Sequence, residues 1–593
     1  MTTSSVLLSG KVMAGTQPVV GASVQVYAAG TAGRGMGAQS LLSEPASTDA
    51  KGSFSISSGL SCSSTQPLFY LVASGGHVGS SAENAAITLA AAVGDCRKLS
   101  ARTASAFTMN EVTTVAFAWS LSQFLSAGGA VGATAGNASG IANAFATAAN
   151  LANATTGGTP GATFPSTGHY PSAKVNTLAN LLNRCVVVAS ACAALFGATT
   201  MDGTAAPANT LEAARLLAGH PGSNIGILYT QALASAAYAP ALTAAPADWT
   251  LTVSYTGGGI DAPTGIAVDG EGSLWVASYN GVVSKFSTTG APAFSAGIKG
   301  SGLGSSYGVA VDASNDVWIT NGVSAATVNG GMGSVTKLRG DGQVLSGANG
   351  FVAGGLSYPV SLAIDAEGTV WVVNYHDSRV TQLSSAGAAL SGNSGYSASS
   401  LAFIVSIGID ANRHAWIGNQ NNQMVTRLSS DGSKSMGVSC CNGPQALAID
   451  QRGNIWIANY FGDSVSQLAS SGAIVSSGYV GGGLSQPQSL AIDGDGTVWV
   501  VNARSVVGTE YPVLTELAGS NTSAPGSVLS PATGWLADEG LVQPYSLAID
   551  ASGNLWMTNF TSDASVPHGN AITEVIGMAS PVKTPMLGPA QAP

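Results

Sequence analysis

Histidine is the side chain whose ordinary pKa lies nearest neutrality, and the C-terminal half of this 593-residue chain holds His376, His414 and His568. His376 stands beside Asp377 in Asn-Tyr-His-Asp-Ser, the most suggestive ionisable pair there, and general acid–base work is the chemistry it offers. A solvated loop is the other reading. Gly304 to Gly308 matches the G-x-S-x-G of a nucleophile elbow, but it runs into a strand pattern and not a strand–turn–helix. Asp-Gly-Glu-Gly-Ser at 269–273 and Asp-Gly-Asp-Gly-Thr at 493–497 look like calcium-loop fragments without the bidentate Glu or the full loop. Gly-Ser-Lys-Ser at 432–435 lacks the rest of a P-loop. No catalytic residue and no metal ligand is assigned.

Aromatic and amide side chains recur in a more orderly way. Tyr279, Tyr375, Tyr460 and Phe560 each follow a Trp-x-x-Asn or Trp-x-x-Ser unit, and Asn374, Asn459, Asn502 and Asn559 belong to such units. Thr264, Tyr307, Val360, Gln445, Gln488 and Tyr545 stand where the chain enters another apolar strand. Aromatics interleaved with amides and hydroxyls suit stacking on sugars or anchoring a peptide. The candidate ligand-binding set is therefore Tyr279, Tyr307, Asn374, Tyr375, Asn459, Tyr460, Asn502, Tyr545, Asn559 and Phe560. The alternative is that the rings pack on neighbouring loops and the asparagines cap hairpins.

Something must hold these residues in register, and the sequence supplies it. Seven copies of an apolar strand ending in Asp, a turn and a Trp-containing strand follow one another, from Ile-Ala-Val-Asp269 to Leu-Ala-Ile-Asp550. The Asp-to-Trp spacing is six in every copy, from Asp269 and Trp275 to Asp550 and Trp556, and successive Asp residues lie 40 to 57 apart. A period of that length marks a repeat architecture. A small residue recurs in the first strand (Ala267, Ala310, Ala363, Gly408, Ala448, Ala491, Ala548), where a wedge narrows toward an axis. Trp in the second strand fills the widening gap between wedges, and one such sheet cannot cover both its faces alone. The copies resemble NHL repeats and, more loosely, streptogramin-lyase-like and gluconolactonase-like propellers. The resemblance implies a seven-bladed β-propeller over 250–577, with Thr-Leu-Thr-Val-Ser-Tyr at 250–255 as the outer strand that closes the ring. In such a ring the Asp turns lie on one face and the Tyr/Asn residues on the other. The lyases employ a His/Glu set with a metal, and no matching Glu–His motif stands in these repeats.

Residues 5–102 read as short strands. Pro18, Gly21, Ala22, Val24, Val26, Tyr27, Asp49, Gly52 and Phe54 resemble the carboxypeptidase-regulatory-like domain, which implies a transthyretin-like β-sandwich. Between 108 and 240 the period becomes helical, with Thr108 and Glu111 as a capping box, Ser172 as an N-cap and Gly219 as a stop. A Pro/Ala linker covers 241–249 and a Pro-containing tail 578–593. The fold class is thus multidomain and mainly β: a seven-bladed propeller, a small N-terminal β-sandwich and an intervening all-α domain.

Only 8% of residues are charged, the net charge is −10, and no Lys/Arg cluster occurs, which argues against nucleic acid and anionic membrane surfaces. No apolar run reaches the ~20 residues of a spanning helix. There are six cysteines. Cys62 and Cys96 can close a loop, and Cys185 and Cys192 can pair only if the helix breaks at Val-Val-Val. For the adjacent Cys440 and Cys441, two free thiols are the plainer reading over a strained bridge. Composition and cysteines favour a secreted, periplasmic or cell-surface protein whose leader has been removed; a cytosolic chain that never carried one is the other reading. The expectation is non-catalytic recognition of protein or glycan on the Tyr/Asn face, without a cofactor. The rival is a lyase- or lactonase-like enzyme with a divalent metal in the channel.

Overall fold

The computed structural model describes residues 4–99, 105–201, 203–323, 332–503, 513–541, 543–561 and 568–593. They form two compact units: Met1–Val253 with Val575–Met578, and Ser254–Glu574 with Ala579–Pro593.

In the first unit, strand Ser4–Ala14 lies between Ser53–Cys62, antiparallel, and Ser105–Met109, parallel. A second sheet pairs Ser23–Ala28 with Leu68–Ser74, and Leu68–Ser74 with Thr88–Asp95. The period-two pattern of Ser23–Ala28 buries Val24, Val26 and Ala28. Those residues share a core with Val12 and Phe54 of the first sheet and Leu71 and Leu89 of the second. The other face of the second sheet presents Tyr70 and Ala90 to Phe117, Leu121 and Phe145. Strands expected over 5–102 and helices expected over 108–240 thus share one core.

The helices are α1 Glu111–Ser120, α2 Ala138–Leu151, α3 Ser172–Val187, α4 Cys192–Thr199, α5 Thr210–Gly219 and α6 Ile225–Ala232. The capping box of α1 is not Thr108 and Glu111. Thr108 is paired in a strand, and Asn110 caps instead, accepting the Thr113 N–H at 3.0 Å while its own N–H donates to the Thr113 hydroxyl. Ser172 is likewise the first residue of its helix, behind Pro171, and not the cap. The Glu111 side chain is fully buried, accepts from Asn183 at 2.8 Å and from the Tyr238 hydroxyl, and burial raises its pKa. α3 ends in the expected valines, and the break lets Cys185 and Cys192 bond across a Cα separation of 4.5 Å.

In the second unit each Asp-to-Trp repeat folds as an antiparallel sheet. Its first strand, such as Pro359–Ile364, pairs with the Trp strand, such as Val370–Asn374, and that strand pairs with Arg379–Leu383. First strands of successive repeats pack side by side, and the last, Pro544–Ile549, packs on the first, Pro263–Val268, so the sheets close a β-propeller. Thr252–Tyr255 joins the final sheet beside Ala571–Val575. There the Ser254 and Thr573 hydroxyls lie 2.7 Å apart and the Tyr255 hydroxyl donates to Glu574 at 3.0 Å.

The repeated Asp and Trp are one device. Asp410 Oδ1 accepts the N–H groups of Asn412 and His414, each at 2.9 Å, which forms the turn, and its Oδ2 accepts Trp416 Nε1–H at 3.0 Å. The same Trp-to-Asp bond occurs in all seven copies, at 2.9 to 3.5 Å. Each indole is fully buried between sheets, removing ~150–250 Å² from water.

One expectation fails here. Cys440 and Cys441 are bonded to each other: both N–H groups converge on the Gln423 carbonyl at 3.3 Å, in a tight turn that keeps both side chains together. The Pro-containing segment after 578 is bonded to the propeller. Val582 N–H donates to the Asp550 carbonyl at 3.1 Å, and Ser580 donates to Asp493 at 3.0 Å and Asp495 at 2.6 Å. Leu587 packs with Leu362 and Ile364. The segment therefore crosses the Asp-turn end of the channel.

Candidate ligand-binding site

The opposite end of the channel is built by a bulge repeated in the first strands. In Pro359–Ile364, Pro359 pairs with Asn374 and Ser361 with Val373, so the register skips Val360. The skip turns two consecutive side chains toward the axis, as the burial of Pro444–Ile449, Pro487–Ile492 and Pro544–Ile549 shows. Tyr307, Gln445, Gln488 and Tyr545 reach the mouth this way, with Ser361, Ser489 and Ser546 beneath them.

The residue before the strand is left-handed in most copies: Tyr358 at φ 53°, Phe403 at 50°, Gln486 at 48° and Gln543 at 47°. For aromatic residues this backbone costs ~1–2 kcal/mol. It is held by a recurring bond. Tyr375 N–H donates to the Tyr358 carbonyl at 3.0 Å, and Phe560 N–H to that of Gln543 at 2.9 Å. Tyr358 and Phe403 were not singled out from the sequence. A Pro after Tyr358 is the signal that could have found it; Phe403, followed by Ile, carries none.

Seven rings form a continuous arc. Successive centroids of Tyr545, Phe560, Tyr279, Tyr307, Tyr358, Tyr375 and Phe403 are 5.4, 6.4, 5.7, 5.9, 6.1 and 5.7 Å apart. The Tyr307 and Tyr358 hydroxyls meet at 2.8 Å, and burial with that neighbour pushes the Tyr307 hydroxyl pKa far up, so it stays protonated. Amides stand on the other side: Gln420 donates to Gln445 at 2.6 Å and Tyr460 to Gln486 at 3.5 Å. The mouth encloses about 440 Å³.

Of the candidate residues, Tyr307, Tyr375 and Tyr545 line this mouth, while Tyr279, Tyr460 and Phe560 form its outer rim. Asn374, Asn459, Asn502 and Asn559 stand behind it, fully buried. Asn374 accepts the Ser357 N–H at 3.1 Å and donates to Thr381 at 3.0 Å, and Asn502 does the same with Ser485 and Thr515. Their amides brace the loops, out of contact with the mouth. His376 faces the Ser357 hydroxyl at 3.4 Å and Asp377 lies 3.9 Å from Arg379, so the two do not act as a pair. Among the described residues no group of three or more His, Cys, Asp or Glu is placed to hold a metal ion. Among the described residues the mouth carries no Asp, Glu, His, Lys or Arg in its lining.

A closed ring of Trp-wedged sheets with an aromatic mouth defines a β-propeller. No known protein family and no curated protein matches the chain. Among solved structures, streptogramin B lyase is similar at 13% identity and TM-score 0.41, over 55% of this chain and 97% of that one. Virginiamycin B lyase from Staphylococcus aureus follows at 12% and 0.42 (55% and 98% covered). The WD40 β-propeller domain of Doa1 stands at 10% and 0.37 (54% and 94%).

Proposed function

We propose that this is a non-catalytic recognition protein of the extracellular or cell-surface space, whose seven-bladed, NHL-like propeller binds an uncharged glycan in the aromatic mouth. The observation that carries this reading is the seven-ring arc facing a bank of glutamines around a concave opening whose described lining is uncharged. Ring faces take the apolar side of a sugar while amides and hydroxyls take its hydroxyl groups. A concave opening suits a small flexible ligand better than the flatter surface of a folded protein. Three disulfides support an oxidising compartment, and no helix among the described residues is long and apolar enough to cross a membrane. The first unit, with its carboxypeptidase-regulatory-like strands, is then an accessory module.

The enzymatic alternative, a metal-dependent lyase or lactonase, asks for imidazoles or carboxylates in the mouth or channel, and the described lining residues include neither. The test is retention of the full chain on a glycan array. Tyr358→Ala with Tyr375→Ala should abolish retention while leaving the urea midpoint within a few tenths molar. Unchanged retention by that variant overturns the reading.

A further inference from the structure

Beneath the mouth the channel does not run through the ring. It opens into a chamber of about 210 Å³ that shares Ile266, Val309 and Leu362 with the mouth above. The chamber walls are aliphatic, and its inner girdle consists of six alanines and Gly408, every one of them partly accessible. Its floor is the C-terminal segment, which presents Val582, Thr584, Met586, Gly588 and Ala590. That floor is fastened by Ser580 to Asp493 and by Val582 to the Asp550 carbonyl. Among the described residues no ionisable side chain lines the chamber.

Its described lining side chains are apolar but for Thr584, and an apolar cavity of ~150 Å³ already suffices to bind benzene or xenon. The chamber is larger, has the C-terminal segment as its floor and adjoins the mouth. We propose that it is an apolar subsite, and that the ligand held at the mouth carries a compact uncharged apolar group, about the bulk of an alkylbenzene, which enters it. This rests on the mouth being a ligand site and adds the chemistry of what the ligand must bear. The order of the rings matches such a ligand: aromatic and amide groups outermost, the hydroxyls of Ser361, Ser489 and Ser546 next, and aliphatic carbon last.

The experiment uses the full chain with benzene, methyl β-D-glucoside and phenyl β-D-glucoside as probes, read by titration calorimetry, and crystals pressurised with xenon. Benzene should bind, the phenyl glucoside should bind at least tenfold tighter than the methyl one, and xenon should sit on the axis level with Ala363. Ala363→Met with Ala491→Met, which projects side chains into the chamber, should weaken benzene at least tenfold. The xenon result needs no variant, so a misfolded double substitution does not remove the test. Absence of axial xenon, or equal affinity for the two glucosides, overturns the chamber and leaves the mouth reading standing. Benzene binding with neither glucoside bound and no glycan retained overturns the joined proposal through the mouth.

Discussion

The backbone N–H of Ser580 donates to Oδ2 of Asp493 across 3.0 Å, the oxygen that also takes Trp499 Nε1–H at 3.1 Å. One carboxylate thus serves a turn, a wedge tryptophan and the C-terminal segment. Its Oδ1 accepts the N–H groups of Asp495 and Thr497 as well.

Asp493→Ala should therefore destabilise more than a surface change. It leaves buried donors without a partner, at ~1–3 kcal/mol for such a group. A total loss of about 2–4 kcal/mol is expected, read as a lower urea midpoint. A midpoint equal to that of the unmodified protein would show that the bond set is not what holds this repeat.

Glu516 gives a pH signature. Burial raises its pKa to about 7, while Trp535 Nε1–H donates to it at 3.1 Å. The folded state thus holds a proton that the unfolded chain has lost above its ordinary value near 4.5. Stability falls as pH rises from about 4.5 to 7 and levels off above, a loss of roughly 1–3 kcal/mol. Glu516→Gln, which keeps an acceptor for Trp535, should flatten this part of the profile in melting scans between pH 4.5 and 8.

The Cys62–Cys96 bridge closes a loop with a sequence separation of 34. Loop entropy of that size corresponds to ~3–4 kcal/mol. Cys62→Ser with Cys96→Ser should lower the stability of the first unit by that amount, read as a lower denaturant midpoint. A matched midpoint in reducing and oxidising buffer for the unmodified chain would contradict it.

Tyr307→Phe and Tyr358→Phe each remove one member of a hydroxyl pair while keeping the ring. Each should weaken glycan retention several-fold without affecting the arc, whereas Tyr358→Ala should eliminate retention. Asn374→Ala, by contrast, should lower stability by about 1–3 kcal/mol, because Ser357 and Thr381 lose a buried partner.

The ring was legible because Asp and Trp each perform a task that few residues can. Asp410 or Asp550 must both make a turn and accept an indole, so the pair recurs at a fixed spacing. The mouth was legible only in part. Tyr307 and Tyr545 lie on strands whose register the repeat sets, whereas Phe403 sits in a connection of variable length, and no residue type announces its positive φ. Asn374 and its equivalents recur as a ligand set would, yet the recurrence reflects a brace. The C-terminal segment has no repeat partner at all, so its path over Asp493 and Asp550 follows only from the completed ring.

Ser254 and Thr573 touch across 319 residues of sequence. A chain emerging from the ribosome therefore carries an unfinished ring until residues 571–575 are made, with the first strand waiting for the last. Contacts so distant are slow to form, and until they do, two raw strand edges stand open to other nascent chains. Aggregation during synthesis should thus be governed by how promptly residues 571–575 are delivered, and a ribosome stalled just short of them would be the most hazardous point in this protein's production.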